Sequence, residues 1–293
     1  MRFLTRRLPY LYLTCLILVA CGEPVPAERQ KMEGGSAVKR IVTLSPHLAE
    51  LTFAVGAGDL LAGVSAYTDF PPEAAILPVV GDAFNLDQEQ LTILEPDVLL
   101  AWKTGTPAHV IDDLRSRGFR VEVITTTSLA DIPAALRRIG HLTGHEEPAN
   151  TAATDFEAGL GKLADAARDL APISVFYQVD ARPLYTVNGS HYVSELIELC
   201  GGTNIFASLN GLAPLVSVEA VLEREPEVIM ASSDAGTAAF SEWDRWSDLP
   251  ANRYGNRFLM PADVIGRATP RLLSAAQAVC DALATGRTNR EKF

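Results

Sequence analysis

Long apolar runs are nearly absent from this 293-residue sequence. Beyond residue 20 no apolar stretch reaches the roughly 18 residues that a membrane-spanning helix needs, so any membrane contact of the remainder must come from something other than a span. Catalytic signatures are absent as well. There is no Gly-x-Ser-x-Gly elbow, no Walker loop and no Gly-x-Gly-x-x-Gly turn, and Gly201-Gly202 lacks the strand-to-helix setting that a nucleotide turn requires. Histidine is scarce and scattered over His47, His109, His141, His145 and His191. Only His141 and His145 stand at i,i+4, with Gly144 between them and no glutamate in the His-Glu-x-x-His pattern, so neither a zinc site nor an enzyme is predicted. Positive charge is in deficit: 25 Lys+Arg against 36 Asp+Glu leave a net charge of -11. That balance excludes the basic footprint of a nucleic-acid binder and the polybasic patch of a peripheral membrane protein. It permits a neutral or cationic ligand without implying one.

The N-terminus is the exception to this economy. Arg2, Arg6 and Arg7 precede an uncharged apolar run over residues 8–20, a charge order and length that predict a cleaved signal peptide over residues 1–20. Leu18-Val19-Ala20-Cys21 resembles the bacterial lipobox, in which the cysteine thiol is lipidated and the bond before it is cut. Cys21 is therefore the expected lipidation site and the only expected membrane contact; a plain secretory signal is the alternative. Residues 22–39 carry Pro24, Pro26, Gly34, Gly35 and several charges without a hydrophobic period, which predicts a flexible tether. About 250 residues remain, enough for two compact lobes or one large domain. With Cys15 in the signal and Cys21 lipidated, Cys200 and Cys280 are left. In an oxidising compartment they are either one disulfide or two buried thiols, and spacing does not decide, because a bridge needs Cα atoms within roughly 7 Å.

The folded part begins near Arg40. Residues 40–44 form a short β-branched run, followed by Ser45-Pro46-His47 and an apolar stretch over residues 48–55 that stops at Gly56 and Gly58, which is the grammar of strand, cap, helix and stop. Further strands are predicted at residues 60–65, 97–101 and 121–124, with helical patterns between them. The same alternation restarts at residues 173–177 and runs through a helix near 194–199 to strands at 228–231 and 258–260. Two similar halves, each a mostly parallel sheet covered on both faces, follow from this pattern. Between them, Phe156, Leu160, Leu163, Ala167 and Leu170 recur at helical spacing, so residues 146–170 read as one amphipathic helix of roughly 37 Å. The expected organisation is an N-terminal α/β lobe over residues 40–145, a connecting helix over 146–170 and a C-terminal α/β lobe over 171–293.

Three segments, Arg40-Ile-Val-Thr-Leu-Ser-Pro-His-Leu-Ala-Glu50, Glu95-Pro-Asp-Val-Leu-Leu-Ala-Trp102 and Cys200-Gly-Gly-Thr-Asn-Ile-Phe206, carry a likeness to a known family. They resemble the helical-backbone, or class III, periplasmic binding proteins that serve ABC importers of cobalamin, haem and ferric siderophores. Tyr67-Thr-Asp-Phe-Pro-Pro72, Trp102-Lys-Thr-Gly-Thr106, Val216-Ser-Val-Glu219 and Asp263-Val-Ile-Gly-Arg-Ala-Thr-Pro-Arg271 are most similar to its cobalamin-binding branch.

The resemblance implies two Rossmann-like α/β lobes joined by one long rigid helix, a monomer in the periplasm, and one ligand in the cleft between the lobes. It also implies a permease and ATPase complex as partner, and no cofactor apart from the transported cobalamin. Glu89 and Glu219 fall on the family's permease-docking positions, although from the residues alone each is only a first-turn carboxylate favouring a helix N-terminus. Cys200 and Cys280 match the family's disulfide. Tyr67 and Trp102 match aromatic ligand positions, and Asp263 and Arg267 match the polar rim, which in a water-exposed setting would be an ion pair of little worth. Tyr177, at the carboxyl end of a predicted strand, is expected to point into the cleft; for Tyr177 and Trp102, core packing is the alternative. The family's tryptophan ahead of Glu89 is replaced by Gly81-Asp-Ala-Phe-Asn-Leu86, where Phe84 is the candidate substitute, and the positions around Val264 and Leu215 are aliphatic. These departures keep haem or a ferric siderophore open as the alternative solute, with Tyr67, Tyr177 and Tyr185 as available haem ligands.

Overall fold

A computed structural model describes residues 38–293; the expected signal peptide, Cys21 and most of the expected tether lie outside the described residues. β1 (Ile41–Thr43) is buried throughout and leads into α1 (Pro46–Ala54). Pro46 suits the first turn of that helix because the N–H it lacks would have had no intrahelical partner. Gly56 reverses the chain at φ 79°, a conformation that costs a residue without Cβ nothing. β2 (Leu61–Gly63), α2 (Gln88–Leu94), β3 (Val98–Trp102), α3 (Ala108–Ser116), β4 (Val121–Ile124) and α4 (Asp131–Thr143) complete the first lobe. Its sheet is parallel, in the order β2-β1-β3-β4.

α5 (Glu146–Ala167) follows, then β5 (Ile173–Gln178), a short hairpin of β6 (Asp180–Ala181) and β7 (Leu184–Tyr185), α6 (Tyr192–Leu199) and β8 (Gly202–Asn204). The second lobe ends with α7 (Val218–Arg224), β9 (Val228–Ser232), α8 (Pro250–Arg253), β10 (Arg257–Met260), α9 (Ala262–Ile265) and α10 (Leu272–Arg290). Its parallel sheet runs β10-β9-β5-β8, the first lobe's order repeated position by position. The repetition reaches side chains. α2 and α7 both end on a glutamate in the left-handed region, Glu95 at φ 44° and Glu225 at φ 43°, and each is followed by a proline and an acid. Asp97 accepts the N–H groups of Lys39 and Arg40 at 2.8 and 3.0 Å beside β1, and Glu227 accepts that of Ser174 at 2.9 Å in β5. Among the described residues no helix is long and apolar enough to cross a membrane.

α5 has 22 residues, about 33 Å at 1.5 Å per residue, and ends three residues before the expected boundary. Leu170, counted as the last apolar step, lies beyond the helix and is exposed. The buried face begins earlier than the large side chains suggested, at Ala149 and Ala153, because α5 lies close against α4. A Cβ on Gly140 would come within 2.3 Å of the Cβ of Ala149, so glycine is what permits that approach. On the second-lobe side Gly159 faces Leu273 of α10 in the same way, with a Cβ there only 2.8 Å from the leucine side chain.

The lobes also meet directly. Glu50, in α1 and 3% exposed, receives two hydrogen bonds from Arg271, Nε–H at 3.0 Å and Nη2–H at 2.9 Å. Arg267 adds a third through Nη1–H at 2.8 Å, and the same nitrogen pairs with Asp69 of the first lobe. Nearby, the Tyr192 N–H donates to Thr127 O at 2.8 Å, and the Leu129 N–H donates to a carboxylate oxygen of Glu195 at 2.6 Å. Cys200, closing α6, is bonded to Cys280 in α10 with Cα atoms 4.9 Å apart, which resolves the choice between bridge and free thiols.

Removing one partner of a buried ion pair strands the others, so Glu50→Gln should lower unfolding free energy by about 3 kcal/mol, read by urea denaturation at constant pH; an unchanged midpoint would remove the network from the forces that pin the lobes. The disulfide closes a loop of 80 residues in sequence separation, so Cys200→Ser with Cys280→Ser should cost on the order of 4 kcal/mol of stability, seen as a lower calorimetric melting temperature.

Candidate functional site

Parallel strands deliver their carboxyl ends to one edge of each sheet, and here the two edges face each other. At the bottom of the cleft is a cavity of about 180 Å³. The first lobe supplies Ser45, Pro46 and His47 after β1, Trp102 as the last residue of β3, and Thr126 just beyond β4. The second lobe supplies Tyr192 at the start of α6 and the segment Gly266, Arg267 and Ala268 after α9.

Trp102 is held firmly. Its backbone N–H donates to Thr106 Oγ1 at 3.1 Å, and its carbonyl accepts the Thr106 N–H at 2.9 Å. The intervening loop crosses the face of the indole so closely that a Cβ on Gly105 would fall 1.8 Å from a ring carbon. His47 meets the indole edge-on, with centroids 5.0 Å apart and planes at 76°. One imidazole nitrogen lies 2.6 Å from Ser45 Oγ and the other 3.2 Å from Thr126 Oγ1. Burial, helped by the neighbouring Arg267 charge, pulls the His47 pKa down to about 3, so the ring is neutral at ordinary pH. The Tyr192 hydroxyl donates to Ile265 O at 3.1 Å, and burial raises its pKa.

The first-lobe loop that meets Arg267 and Arg271 is rich in aromatic residues. Tyr67 is 83% exposed at φ 64°, and Asp69, two residues on, binds Arg267. The Arg271 guanidinium lies 3.8 Å over the Phe70 ring. Phe84 projects, 72% exposed, from a tight turn in which Gly81 takes φ 102° and pairs with Leu86. The Asp82 carboxylate accepts the Phe84 and Asn85 N–H groups at 2.8 and 2.7 Å, bonds that hold its pKa below the usual carboxylate range. The Ala66 N–H donates to Gly81 O at 2.7 Å and ties the Tyr67 and Phe84 loops together.

The expected site residues therefore divide. Trp102 and Arg267 line the same cavity. Asp263 is exposed and faces Arg271 at 3.5 Å instead of Arg267, whose Nη1 is shared between Glu50 and Asp69. Tyr67 and Phe84 stand out in solvent on the rim loops. Tyr177 is 5% exposed and packs in the same core cluster as Tyr192, and burial raises its pKa. The second-lobe tyrosine that reaches the cavity wall is Tyr192.

His47, Thr126, Glu50 and Arg271 were not singled out by sequence reasoning. Glu50 carried a signal, being a carboxylate inside the apolar stretch of α1; Thr126 carried none. Glu89 and Glu219 occupy corresponding first turns of α2 and α7, both exposed, with Asp87 and Ser217 as the respective helix caps. Hydrogen bonds from its own N–H and from the Ser217 hydroxyl, with Arg245 nearby, lower the Glu219 pKa.

This architecture has relatives. The family model described as periplasmic binding protein matches residues 41–264. The vitamin B12-binding protein of Vibrio cholerae serotype O1 is 35% identical over 272 residues, 92% of this chain and 93% of the relative. That of Pectobacterium atrosepticum is 34% identical over 282 residues, 93% and 94% of the two chains. The crystal structure of the periplasmic vitamin B12-binding protein of Vibrio cholerae superposes with a TM-score of 0.79 at 34% identity, covering 85% of this chain and 98% of that one. The periplasmic haem-binding protein of the same organism gives 0.72 at 23% identity over 83% and 98%, a likeness of fold alone. Two parallel α/β lobes facing each other across a cleft, with one helix running between them, is the class III arrangement, and this chain belongs to the periplasmic binding protein family.

Proposed function

We propose that this protein is the solute-binding component of an ABC importer, and that it takes one cobalamin into the cleft between its lobes and delivers it to a membrane permease and its ATPase. The observation that carries the reading is the chemistry of the cleft: a small cavity walled by Trp102, Tyr192 and Arg267, joined through the Asp69–Arg267 pair to a first-lobe loop that carries the exposed aromatic side chains of Tyr67 and Phe70, with Phe84 exposed on the loop tied to it. A corrin is a wide, largely apolar disc edged with carboxamides. It needs flat apolar surface across its face and hydrogen-bonding groups at its edge. The vitamin B12-binding relatives support the same choice, since the likeness spans nearly their whole length.

The ligand-contact set is then Tyr67, Phe84, Trp102, Asp263 and Arg267, with Tyr177 acting from below through Tyr192. The Glu50 network holds the lobes at a fixed spacing, so capture proceeds with little closure. A lipid at Cys21 keeps the protein at a periplasmic membrane face as a monomer, and Glu89 and Glu219, one on each lobe, dock onto basic groups of the permease. Haem is the second reading, favoured by the exposed phenol of Tyr67, which is of the type that ligates haem iron axially.

Titration calorimetry of residues 38–293 should give one-to-one binding of cyanocobalamin, weakened at least ~10-fold, about 1.4 kcal/mol, by Trp102→Ala; no heat with cyanocobalamin but a Soret shift with hemin would transfer the protein to haem import. In cells, Glu89→Lys with Glu219→Lys should abolish uptake while the purified variant keeps its affinity, and uptake that survives both reversals would remove these residues from docking.

A further inference from the structure

We propose that Ser45, His47 and Thr126 form a hydroxyl–imidazole–hydroxyl relay that keeps one hydrogen-bond donor open at the cavity floor, there to bind the oxygen acceptor of a ligand side arm, a carboxamide or a carboxylate. The inference rests on the solute-binding reading and names what the floor of that site recognises.

Three buried groups share too few acceptors for their protons. All three side chains are more than nine-tenths buried, at 6%, 6% and 2% exposure, and all three line the cavity. A neutral imidazole has one N–H and one lone pair. Whichever nitrogen carries the proton donates it to one hydroxyl, whose own O–H is then uncommitted. The other nitrogen accepts the O–H of the second hydroxyl. Either tautomer therefore leaves one O–H free, and among the described residues neither hydroxyl has a further partner. A buried donor without an acceptor costs about 1–3 kcal/mol, so the arrangement calls for an acceptor in the cavity.

The surroundings ask for the same group. Ser45 occupies the N-cap position of α1 but turns its oxygen to His47, leaving the first turn without a side-chain cap, and that turn contains no acid. Arg267 spends only Nη1 on Glu50 and Asp69, so its Nε–H and Nη2–H carry no protein hydrogen bond among the described residues. No carboxylate is among the lining side chains. At about 180 Å³ the cavity suits a short amide or acid arm and lies below the roughly 300–1,000 Å³ of sites that enclose a whole drug-sized ligand. The disc then rests on the aromatic rim while one arm reaches down.

The test is Ser45→Ala with Thr126→Val in the full chain, titrated with cyanocobalamin and with hemin beside the wild type, and with apo melting temperatures recorded. Affinity for the solute that binds should fall at least ~10-fold, and Thr126→Ser, which keeps the hydroxyl, should bind within ~2-fold of wild type; a variant that merely misfolds would melt early without ligand. Cyanocobalamin monoacids, each with one peripheral propionamide hydrolysed, add a chemical readout: one isomer should differ from the parent in wild type, and the difference should vanish in the double variant. Double-variant binding within ~2-fold of wild type would overturn the relay while leaving cobalamin capture intact. Should the wild type bind neither solute, the functional reading fails separately, and the relay is decided by ¹⁵N shifts of the His47 ring with acetamide as the isolated arm: a saturable shift in wild type, absent from the double variant, supports it, and no shift in wild type overturns it.

Discussion

The cleft depends on one buried carboxylate. Glu50 projects from the first helix of the first lobe and is gripped by two arginines of the second, in a setting with too little water to screen the attraction. Burying charge is expensive, and the arrangement survives because the buried carboxylate is fully paired: Arg271 forks across both oxygens and Arg267 adds a bond to one of them, while Asp69 and Asp263 face the two guanidinium groups from the solvent side. Once the network is made, the spacing between lobes is set from the floor of the cleft upward. The connecting helix sets it from behind. A hinge would have to break the first and bend the second.

That constraint explains the division of labour among the cleft's aromatic groups. Trp102 is locked between the Gly105 loop and the His47 ring. Tyr192 is anchored through its hydroxyl and its backbone N–H, the latter to the opposite lobe. Tyr67 and Phe84 stand on loops with their rings in solvent. A fixed floor with an adaptable rim suits a ligand that has a rigid plane and flexible arms, because only the rim must adjust to it.

The two lobes repeat each other in strand order, in the left-handed glutamates that end α2 and α7, and in the acids that tie down the neighbouring strand. The first turns of α2 and α7 are accordingly the same place in two copies of one unit, and Glu89 and Glu219 stand there, one on each lobe. Where the copies differ, they differ at the cleft. The first lobe contributes the loops of Tyr67 and Phe84, the second the basic segment around Arg267 and Arg271, and the site arises from that difference.

Local chemistry determined much of this protein without reference to the fold. Alternating β-branched runs and amphipathic segments specified seven of the eight strands of the two parallel sheets within a few residues, because side-chain period and caps act over one or two turns; β8 and the β6–β7 hairpin, two or three residues each, are too short to show a period. The long helix was legible from its apolar steps, although its true inner face begins at Ala149 and Ala153, where small residues earn their place only through the approach of α4. Trp102 and Arg267 could be named from the motifs that contain them. What only tertiary structure decided is who meets whom. Cys200 and Cys280 become a bridge because α6 and α10 pack together; Arg267 turns to Glu50 and Asp69 instead of Asp263, which leaves Asp263 facing Arg271; Tyr177 goes to the core while Tyr192, with no motif to mark it, takes the wall. Each is a contact between segments far apart in sequence, and such contacts follow from the geometry of packed layers, which no local window of residues contains.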